Sequence, residues 1–272
     1  MRASPAQSGS GREVTALIWI IGSLLVVAIA VIMIVLLRRH DSEPRPPALP
    51  RANLPVKFLG RIVYGANADA HLRLTLDRRN FQSASFVQIN DRLRVFTGAR
   101  TPLVLLVTGA HQSKDPAKVA AMLAVTLARA GESVLVVDSD LRSATVEEVL
   151  GIEDAVGLSD VLAGVHTLEE AMVPWARGLV QVLPNGMMAP DPTSLLESDQ
   201  WRMFVDRLRE RYSAVIVHGS PVLASADAAK VAGIADAVLL VTHEEQVALE
   251  DLAASVDLLV AAGIPALTYV TV

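Results

Sequence analysis

From residue 103 to the end of the chain, short apolar runs alternate with segments whose apolar positions repeat at helical spacing. The runs are 103–109, 133–140, 179–186, 213–219, 237–244 and 266–272. The clearest helices are predicted at 116–130, 195–211 and 248–262. Runs that stay apolar at successive positions indicate strands buried on both faces, and their alternation with helices indicates parallel βαβ units. We therefore predict an α/β domain with a doubly wound, mostly parallel sheet at 101–272.

An uncharged run of 23 residues, 15–37, dominates the first part of the chain. It is long enough to cross the roughly 30 Å hydrocarbon core of a bilayer, and Arg38 and Arg39 follow it as a stop-transfer pattern. A signal peptide is the competing interpretation, but its apolar core would be only about 7–15 residues long. Because more arginines follow the run than precede it, the positive-inside rule places the large C-terminal part in the cytoplasm.

The pattern divides the chain into five segments. We predict a short extracytoplasmic N-terminus at 1–14, a transmembrane helix at 15–37, a Pro-rich linker at 38–55, a connecting segment at 56–100 and the α/β domain at 101–272. The basic linker offers a second interpretation, as a segment resting on anionic lipid. Within the connecting segment, the helical spacing of Phe86, Ile89, Leu93 and Phe96 predicts an amphipathic helix, and a short strand is predicted near 57–63.

Composition narrows the functional classes. The chain is 52% apolar, partly because of the run at 15–37, and its formal net charge is −5. No block of Lys and Arg dominates any folded segment, which argues against nucleic acid as a partner. The chain has no cysteine, which excludes disulfides, thiol chemistry and thiolate metal sites.

Four segments carry a more specific pattern: VLVVDSDLR, GLSDVLAG, LVQVLPNGMMAPDPTSLL and YSAVIVHGSPVLASADA. In this order they resemble the cytoplasmic domain of bacterial tyrosine kinases and polysaccharide co-polymerases, the P-loop ATPases of capsule and exopolysaccharide export. That family is related to the septum-site and partition ATPases. The resemblance covers about 54–272. It implies a P-loop NTPase fold, ATP and Mg²⁺ as cofactors, protein-tyrosine kinase activity and a place at the inner membrane.

The phosphate-binding loop of that family aligns without gaps on 107–124 and keeps Ala110. Its catalytic lysine falls on Pro116, its Mg²⁺-binding hydroxyl residue on Ala117 and the preceding glycine on Asp115. The lysine neutralises phosphate charge and the loop N–H groups cradle the phosphates, so a proline removes one donor and an aspartate adds a repelling charge.

The same residues also form an ordinary helix start. Aspartate is a favoured N-cap and proline a favoured first helical residue, so we expect Asp115 to cap a helix that begins at Pro116. Lys114 and Lys118 flank this position, and they are the cations that an active but divergent ATPase or kinase would use.

The other nucleotide contacts that the resemblance implies are partly lost. Asp138 and Asp140 stand at family positions that help to hold Mg²⁺, and they also fit the capping of the following segment. His218 replaces the carboxylate of the third motif, and an imidazole does not organise hydrated Mg²⁺ as an oxygen ligand does. Val272 falls on the asparagine that helps to recognise adenine. A Zn²⁺ or Mn²⁺ site at His111, Asp138, Asp140 and His218 is a further alternative.

Two other family features are weak or missing. The E-x-x-R-x-x-R pattern of the oligomerisation helix gives Gln88, Asp91 and Arg94, so only the last residue matches. The tyrosine-rich C-terminal tail is absent, and the tyrosines are scattered at 64, 212 and 269.

These departures lead to a hypothesis of a membrane-anchored pseudo-ATPase or pseudokinase with no catalytic residue and no bound cofactor. It would act as a scaffold or regulator in envelope polysaccharide biosynthesis, with an active paralogue or an export component as its protein partner. The alternatives are an active divergent enzyme and a purely structural subunit of a membrane complex.

Overall fold

A computed structural model describes residues 19, 56–62, 82–153, 156–186, 190–243 and 249–272. The chain divides into two units, residues 1–46 and 47–272, and of the first unit only Trp19 is described. Within the described ranges, no helix combines the length and the apolar character needed to cross a bilayer. The helix predicted at 15–37 lies outside those ranges apart from Trp19, as do the linker at 38–55 and Tyr64.

The second unit is built from alternating strands and helices. The strands are β1 (Lys57–Arg61), β2 (Leu103–Gly109), β3 (Val134–Asp138), β4 (Val173–Trp175), β5 (Val180–Leu183), β6 (Ala214–His218), β7 (Ala237–Thr242) and β8 (Leu267–Thr271). The α-helices are α1 (Gln82–Phe96), α2 (Asp115–Arg129), α3 (Thr145–Leu150), α4 (Leu158–Leu162), α5 (Leu168–Ala171), α6 (Pro192–Glu197), α7 (Asp199–Arg211), α8 (Asp227–Ala232) and α9 (Leu249–Ala261).

The strands form one sheet in the order β1-β8-β7-β2-β6-β3-β5-β4. Neighbouring strands are parallel except for the β4–β5 pair, which is antiparallel. All positions of β2, β3, β6, β7 and β8 are buried, because helices cover both faces of the sheet. The predicted doubly wound, mostly parallel α/β fold is confirmed.

The two faces of the sheet carry separate apolar layers. Along β2, Leu105 packs in the layer that includes α1 and α2, whereas Leu106 packs in the layer that includes α7 and α9. Alternate strand residues point to opposite faces of a sheet, so the continuous apolar runs supply both layers at once.

The prediction of a single helix at 195–211 is wrong, because the chain forms two helices there. Ser198 lies between α6 and α7 in an extended conformation, and its hydroxyl accepts a hydrogen bond from the Trp201 backbone N–H at 3.2 Å. A serine that caps a new helix in this way ends the preceding helix. The short strand β4 was not predicted, since three residues are too few to show a pattern.

The backbones of two motifs, GLSDVLAG and the LPNG part of the next one, are in direct contact. Gly157 and Gly186 lie so close that a Cβ atom on Gly157 would stand 2.2 Å from the Gly186 nitrogen. Next to them, the Leu158 N–H donates to the Pro184 carbonyl at 2.7 Å and the Ser159 N–H donates to the Asn185 carbonyl at 3.0 Å. Gly157 of GLSDVLAG and Gly186 of LPNG are therefore required by close packing. This contact fixes the segment that follows β5 beside the end of β3.

Candidate vestigial nucleotide site

The ends of two adjacent strands, β3 and β6, bring the predicted acidic residues together with His218. In the sheet register Asp138 at the end of β3 lies beside His218 at the end of β6, and His218 lies beside Val107 of β2. Ligands of open α/β sheets bind outside these carboxyl ends, so the residues stand where a nucleotide site is expected. Asp138, Asp140 and His218 are nevertheless almost completely buried.

Asp138 is bound by its own chain. Its Oδ1 atom accepts the Asp140 backbone N–H at 3.0 Å and lies 2.9 Å from Nδ1 of His218. In the tautomer that carries its hydrogen on Nδ1, the imidazole donates this bond to Oδ1. Burial lowers the pKa of His218 to about 4, so the imidazole is neutral at pH 7. His218, which the resemblance aligns with a carboxylate, is therefore a hydrogen-bond partner of Asp138.

Glu147 belongs to the same cluster and was missed by sequence reasoning. Its Oε1 atom accepts the Asn185 backbone N–H at 2.6 Å. Among the described residues, Oε2 of Glu147 and Oδ2 of Asp138 have no donor from another group. When one of the two carboxyls is protonated, it donates a hydrogen bond to the other. No motif marks Glu147, because it lies on the six-residue helix α3 and meets Asp138 only through the fold.

The two facing carboxyls share a proton. Burial raises the pKa of Asp138 to about 8, and the charge of Asp140 adds to that shift while the hydrogen bond with Glu147 opposes it. Burial, together with the charge of Asp138, raises the pKa of Glu147 to about 7. Asp140 completes the cluster, since its Oδ1 atom accepts the Ser220 hydroxyl at 2.9 Å. Hydrogen bonds thus engage the acidic strand ends from inside the domain.

The loop before α2 is held by ion pairs at its surface. Lys114 pairs with Glu148 of α3. Oδ2 of Asp115 lies 2.8 Å from Nε2 of His243 and accepts the Ser113 hydroxyl at 2.9 Å, and its Oδ1 lies 3.9 Å from the Lys118 ammonium. The Asp115 carboxylate thus lies at the start of α2 with the His243 imidazole, the Ser113 hydroxyl and the Lys118 ammonium beside it.

The helix start differs in one detail from the prediction. α2 begins at Asp115 itself, the preceding Lys114 occupies the cap position, and no side chain caps the first turn. Asp115 is therefore not the N-cap. Its carboxylate turns to Ser113 and His243, while Pro116 and Ala117 are buried at the base of the helix. His243, which follows β7, was not recognised in the sequence because only the fold brings it to this loop.

Of the four residues of the alternative metal site, His111 is bound elsewhere and does not join Asp138, Asp140 and His218. His111 is exposed, and its Nε2 atom lies 3.0 Å from the Asp251 carboxylate on α9. Across the described ranges, no group of three or more His, Asp or Glu side chains is arranged to hold a metal ion. Ala110 contributes its backbone carbonyl, which accepts the Leu223 N–H at 3.1 Å, and Val272 donates its N–H to the Thr242 carbonyl at 2.9 Å.

A second set of hydrogen bonds, centred on the buried Asp227, lies beside the cluster. Asp227 is almost completely buried at the start of α8 and accepts hydrogen bonds from Nε of Arg142 and from the Thr193 hydroxyl, both at 2.7 Å. These residues come from three motifs of the resemblance, so their hydrogen bonds connect the segment after β3 to α6 and α8. Burial raises the pKa of Asp227, but the bonds from Arg142 and Thr193 outweigh it and hold the pKa below its ordinary value.

Searches against known proteins identify relatives of this architecture. No protein-family profile matches the chain. The tyrosine-protein kinase Wzc of Salmonella typhimurium is 33% identical over 140 residues, which are 52% of this chain and 20% of that protein. The tyrosine-protein kinase YwqD of Bacillus subtilis is 29% identical over 189 residues, which are 68% of this chain and 80% of that protein. The chain thus matches only about a fifth of the length of Wzc.

Solved structures show the same fold. The kinase domain of the Escherichia coli tyrosine kinase ETK superposes with a TM-score of 0.73 over 79% of this chain and 89% of that domain, at 24% identity. The septum site-determining protein MinD of Pyrococcus horikoshii, complexed with Mg-ADP, gives a TM-score of 0.51 over 62% of this chain and 69% of that protein, at 28% identity. The chain is thus a relative of the bacterial tyrosine-protein kinases, and it shares its fold with the septum-site ATPases.

Proposed function

We propose that this chain is a catalytically inactive, membrane-anchored relative of the polysaccharide-export tyrosine kinases that acts as a scaffold or regulator. The observation that carries the proposal is the pairing of His218 with Asp138. It places an imidazole where the family has a carboxylate and encloses the remaining acid in the protein interior. A carboxylate that is buried and already hydrogen-bonded is a poor ligand for hydrated Mg²⁺.

The loop supports the same proposal. Asp115, Pro116 and Ala117 replace the glycine, lysine and hydroxyl residue that the family uses, and Asp115 sets a negative charge at the start of α2. The positive end of the α2 dipole, which would attract a phosphate, thus already interacts with the Asp115 carboxylate. Replacement at the loop and at the third motif removes phosphate binding and metal binding together.

Membrane anchoring is part of the proposal and is supported by the sequence alone. The uncharged run at 15–37 with arginines after it fits a single-pass helix of the inner membrane with the α/β domain in the cytoplasm. A domain held there by a short linker is well placed to contact an active paralogue or a polysaccharide-export component as its protein partner.

Calorimetric titration of the full chain with ATP and Mg²⁺ tests the loss of nucleotide binding, with the ETK kinase domain as positive control. We expect heat of binding for ETK and none for this chain. Micromolar affinity of this chain for ATP would overturn the proposal.

An active divergent enzyme is the second candidate, because Lys114 and Lys118 flank the loop. Lys114 pairs with Glu148, and Lys118 lies near Asp115. If ATP binds, the substitutions Lys114→Ala and Lys118→Ala decide whether either lysine has taken over the phosphate contact. A loss of binding in one of them would support this candidate.

A further inference from the structure

The edge of the sheet at which the parallel strands begin is rich in basic residues. It is formed by the strand starts and by the last turns of the helices that lead into them, because a crossover helix runs back from the carboxyl end of one strand to the start of the next. In these described segments the acids are Glu132, Glu210 and Asp236. The cations of the same segments are Lys57, Arg94, Arg100, Arg129, Arg177, Arg209, Arg211 and Lys230. This basic edge contrasts with the formal net charge of the whole chain, which is −5.

Helix dipoles account for only part of the positive charge. Cations are favoured at the C-terminal ends of helices, and this applies to Arg94, Arg129 and Arg209. Arg100 and Arg177 lie outside the α-helices, so the dipoles do not explain them. These two arginines therefore point to a role of the basic edge beyond the stability of its helices.

The acids of the basic edge do not neutralise it. Asp236 binds two guanidinium groups, that of Arg100 at 3.2 Å and that of Arg209 at 2.6 Å. The Arg100 side chain is still 62% exposed in this arrangement. Because a guanidinium has five N–H donors and Arg100 uses one of them on Asp236, it keeps donors for an anion outside the protein. Two cations on one carboxylate also leave a net positive charge.

The turn between β4 and β5 adds a cation and an apolar side chain to this edge. Ala176 and Arg177 have φ angles of 52° and 61°, which non-glycine residues adopt rarely and most often at functional sites. Arg177 is exposed, and no acid among the described residues contacts its guanidinium. Leu179 is 40% exposed beside it. An exposed arginine next to an exposed leucine suits the boundary between lipid headgroups and acyl chains.

The chain also enters the sheet at the basic edge. The linker predicted at 38–55 follows the predicted span at 15–37, and β1 begins directly after it at Lys57. Even fully extended, this linker is no more than about 60 Å long. The tether to the membrane is therefore attached to the edge that carries the excess of cations.

We propose that the basic edge rests on the anionic lipid headgroups of the membrane that anchors the chain. The inference rests on the membrane anchoring in the proposed function and adds which surface of the domain contacts lipid. Guanidinium groups bind phosphate oxygens through paired N–H donors, and their attraction to an anionic leaflet acts within a Debye length of about 10 Å at 0.1 M salt. The same lipids repel the opposite edge, which holds Asp115, Asp140 and Asp251.

Site-specific fluorescence on the full chain in nanodiscs tests this contact. The chain has no cysteine, so one introduced cysteine carries the fluorophore. Two exposed alanines form a matched pair, Ala130 at the basic edge and Ala224 after β6 at the opposite edge. Ala130→Cys and Ala224→Cys are compared in discs of phosphatidylcholine, with and without phosphatidylglycerol, that carry a quencher on the lipid headgroups.

We expect phosphatidylglycerol to increase the quenching at residue 130 by at least about twofold and to leave residue 224 unchanged. Salt at about 1 M, where the Debye length is about 3 Å, should remove the increase. No increase at residue 130, or an equal increase at residue 224, would overturn the proposal.

Charge variants separate the basic edge from the basic linker, which stays unchanged in them. In the Ala130→Cys chain, Arg100→Gln together with Arg177→Gln should reduce the effect of phosphatidylglycerol by about half or more. The control removes two exposed cations elsewhere, with Lys114→Gln at the opposite edge and Arg202→Gln in the first turn of α7, and should change the effect little. Circular dichroism checks that both double variants are folded. An equal loss in the two would show that net charge alone drives the contact and would refute the proposal.

The anchoring and the lipid contact fail separately. If the chain enters the discs but phosphatidylglycerol has no effect at residue 130, the anchoring stands and the lipid contact is wrong. If the chain does not enter the discs, the anchoring is wrong, and cosedimentation with phosphatidylglycerol or phosphatidylcholine vesicles decides the contact. Equal binding to the two kinds of vesicle then refutes it.

Discussion

The two halves of the candidate site, the loop before α2 and the ends of β3 and β6, are held together in different ways. At the loop, Lys114 pairs with Glu148 at the surface and Asp115 contacts His243 where both side chains are partly exposed, whereas Asp138 and His218 meet in the interior with almost no exposure. Surface pairs in water contribute little to stability, but a buried polar group must be paired or its desolvation destabilises the fold. Single substitutions at the loop should therefore be tolerated better than single substitutions at the strand ends, where the buried network must stay satisfied.

The largest effect is expected where the buried network is broken. Asp138→Ala removes the acceptor of the His218 Nδ1–H and of the Asp140 N–H and leaves both buried without a partner. We expect the free energy of unfolding to fall by about 3 kcal/mol, measured by urea denaturation.

Asp138→Asn is the matched control for that variant. Its amide oxygen still accepts the two N–H bonds and its amide nitrogen donates to Glu147, so we expect a loss of about 1 kcal/mol or less. If the alanine and asparagine variants are equally stable, the interior network does not stabilise the fold as described.

The second effect is on the pH dependence of stability. The pKa values of Asp138, about 8, and Glu147, about 7, lie above those of the unfolded chain, so the folded state retains protons that the unfolded state has lost. Their contribution is complete at low pH and is lost as the pH rises toward 8. The lowered pKa of His218 acts in the opposite direction, but only below about pH 6.5.

Between pH 6.5 and 8 the two carboxyls therefore determine the slope. We expect the free energy of unfolding to fall by about 1 kcal/mol per pH unit in this window, and to fall less steeply in Asp138→Asn. Urea denaturation at a series of pH values measures both slopes. A wild-type stability that rises across the window would contradict the shared proton.

The smallest effect is expected at the loop. Asp115→Ala removes the contacts to His243 and to the Ser113 hydroxyl and one favourable charge at the start of α2. Because these side chains are partly exposed and water can reach the groups that lose a partner, we expect a loss of about 1 kcal/mol in thermal or urea unfolding. A loss as large as that of Asp138→Ala would remove the distinction between the two halves.

Local patterns were sufficient for most of the architecture. The strand β1 at Lys57–Arg61 and the helices α1, α2 and α9 lie where the apolar spacing predicts them, within a few residues. The break at Ser198 was missed because a serine within an apolar period is also compatible with a continuous helix. The motif residues Asp138, Asp140 and His218 were found because the family pattern marks their positions.

The sequence by itself determined the fold class and the position of the strand ends, and it set Asp115, Pro116 and Ala117 at the start of the helix that follows β2, since each follows from neighbours along the chain. Only the tertiary structure decided that His218 closes over Asp138, that Glu147 shares its proton, and that His243 reaches the loop. These contacts join residues that are far apart in the sequence, and burial and electrostatic interactions depend on distances in space, which the folded chain sets.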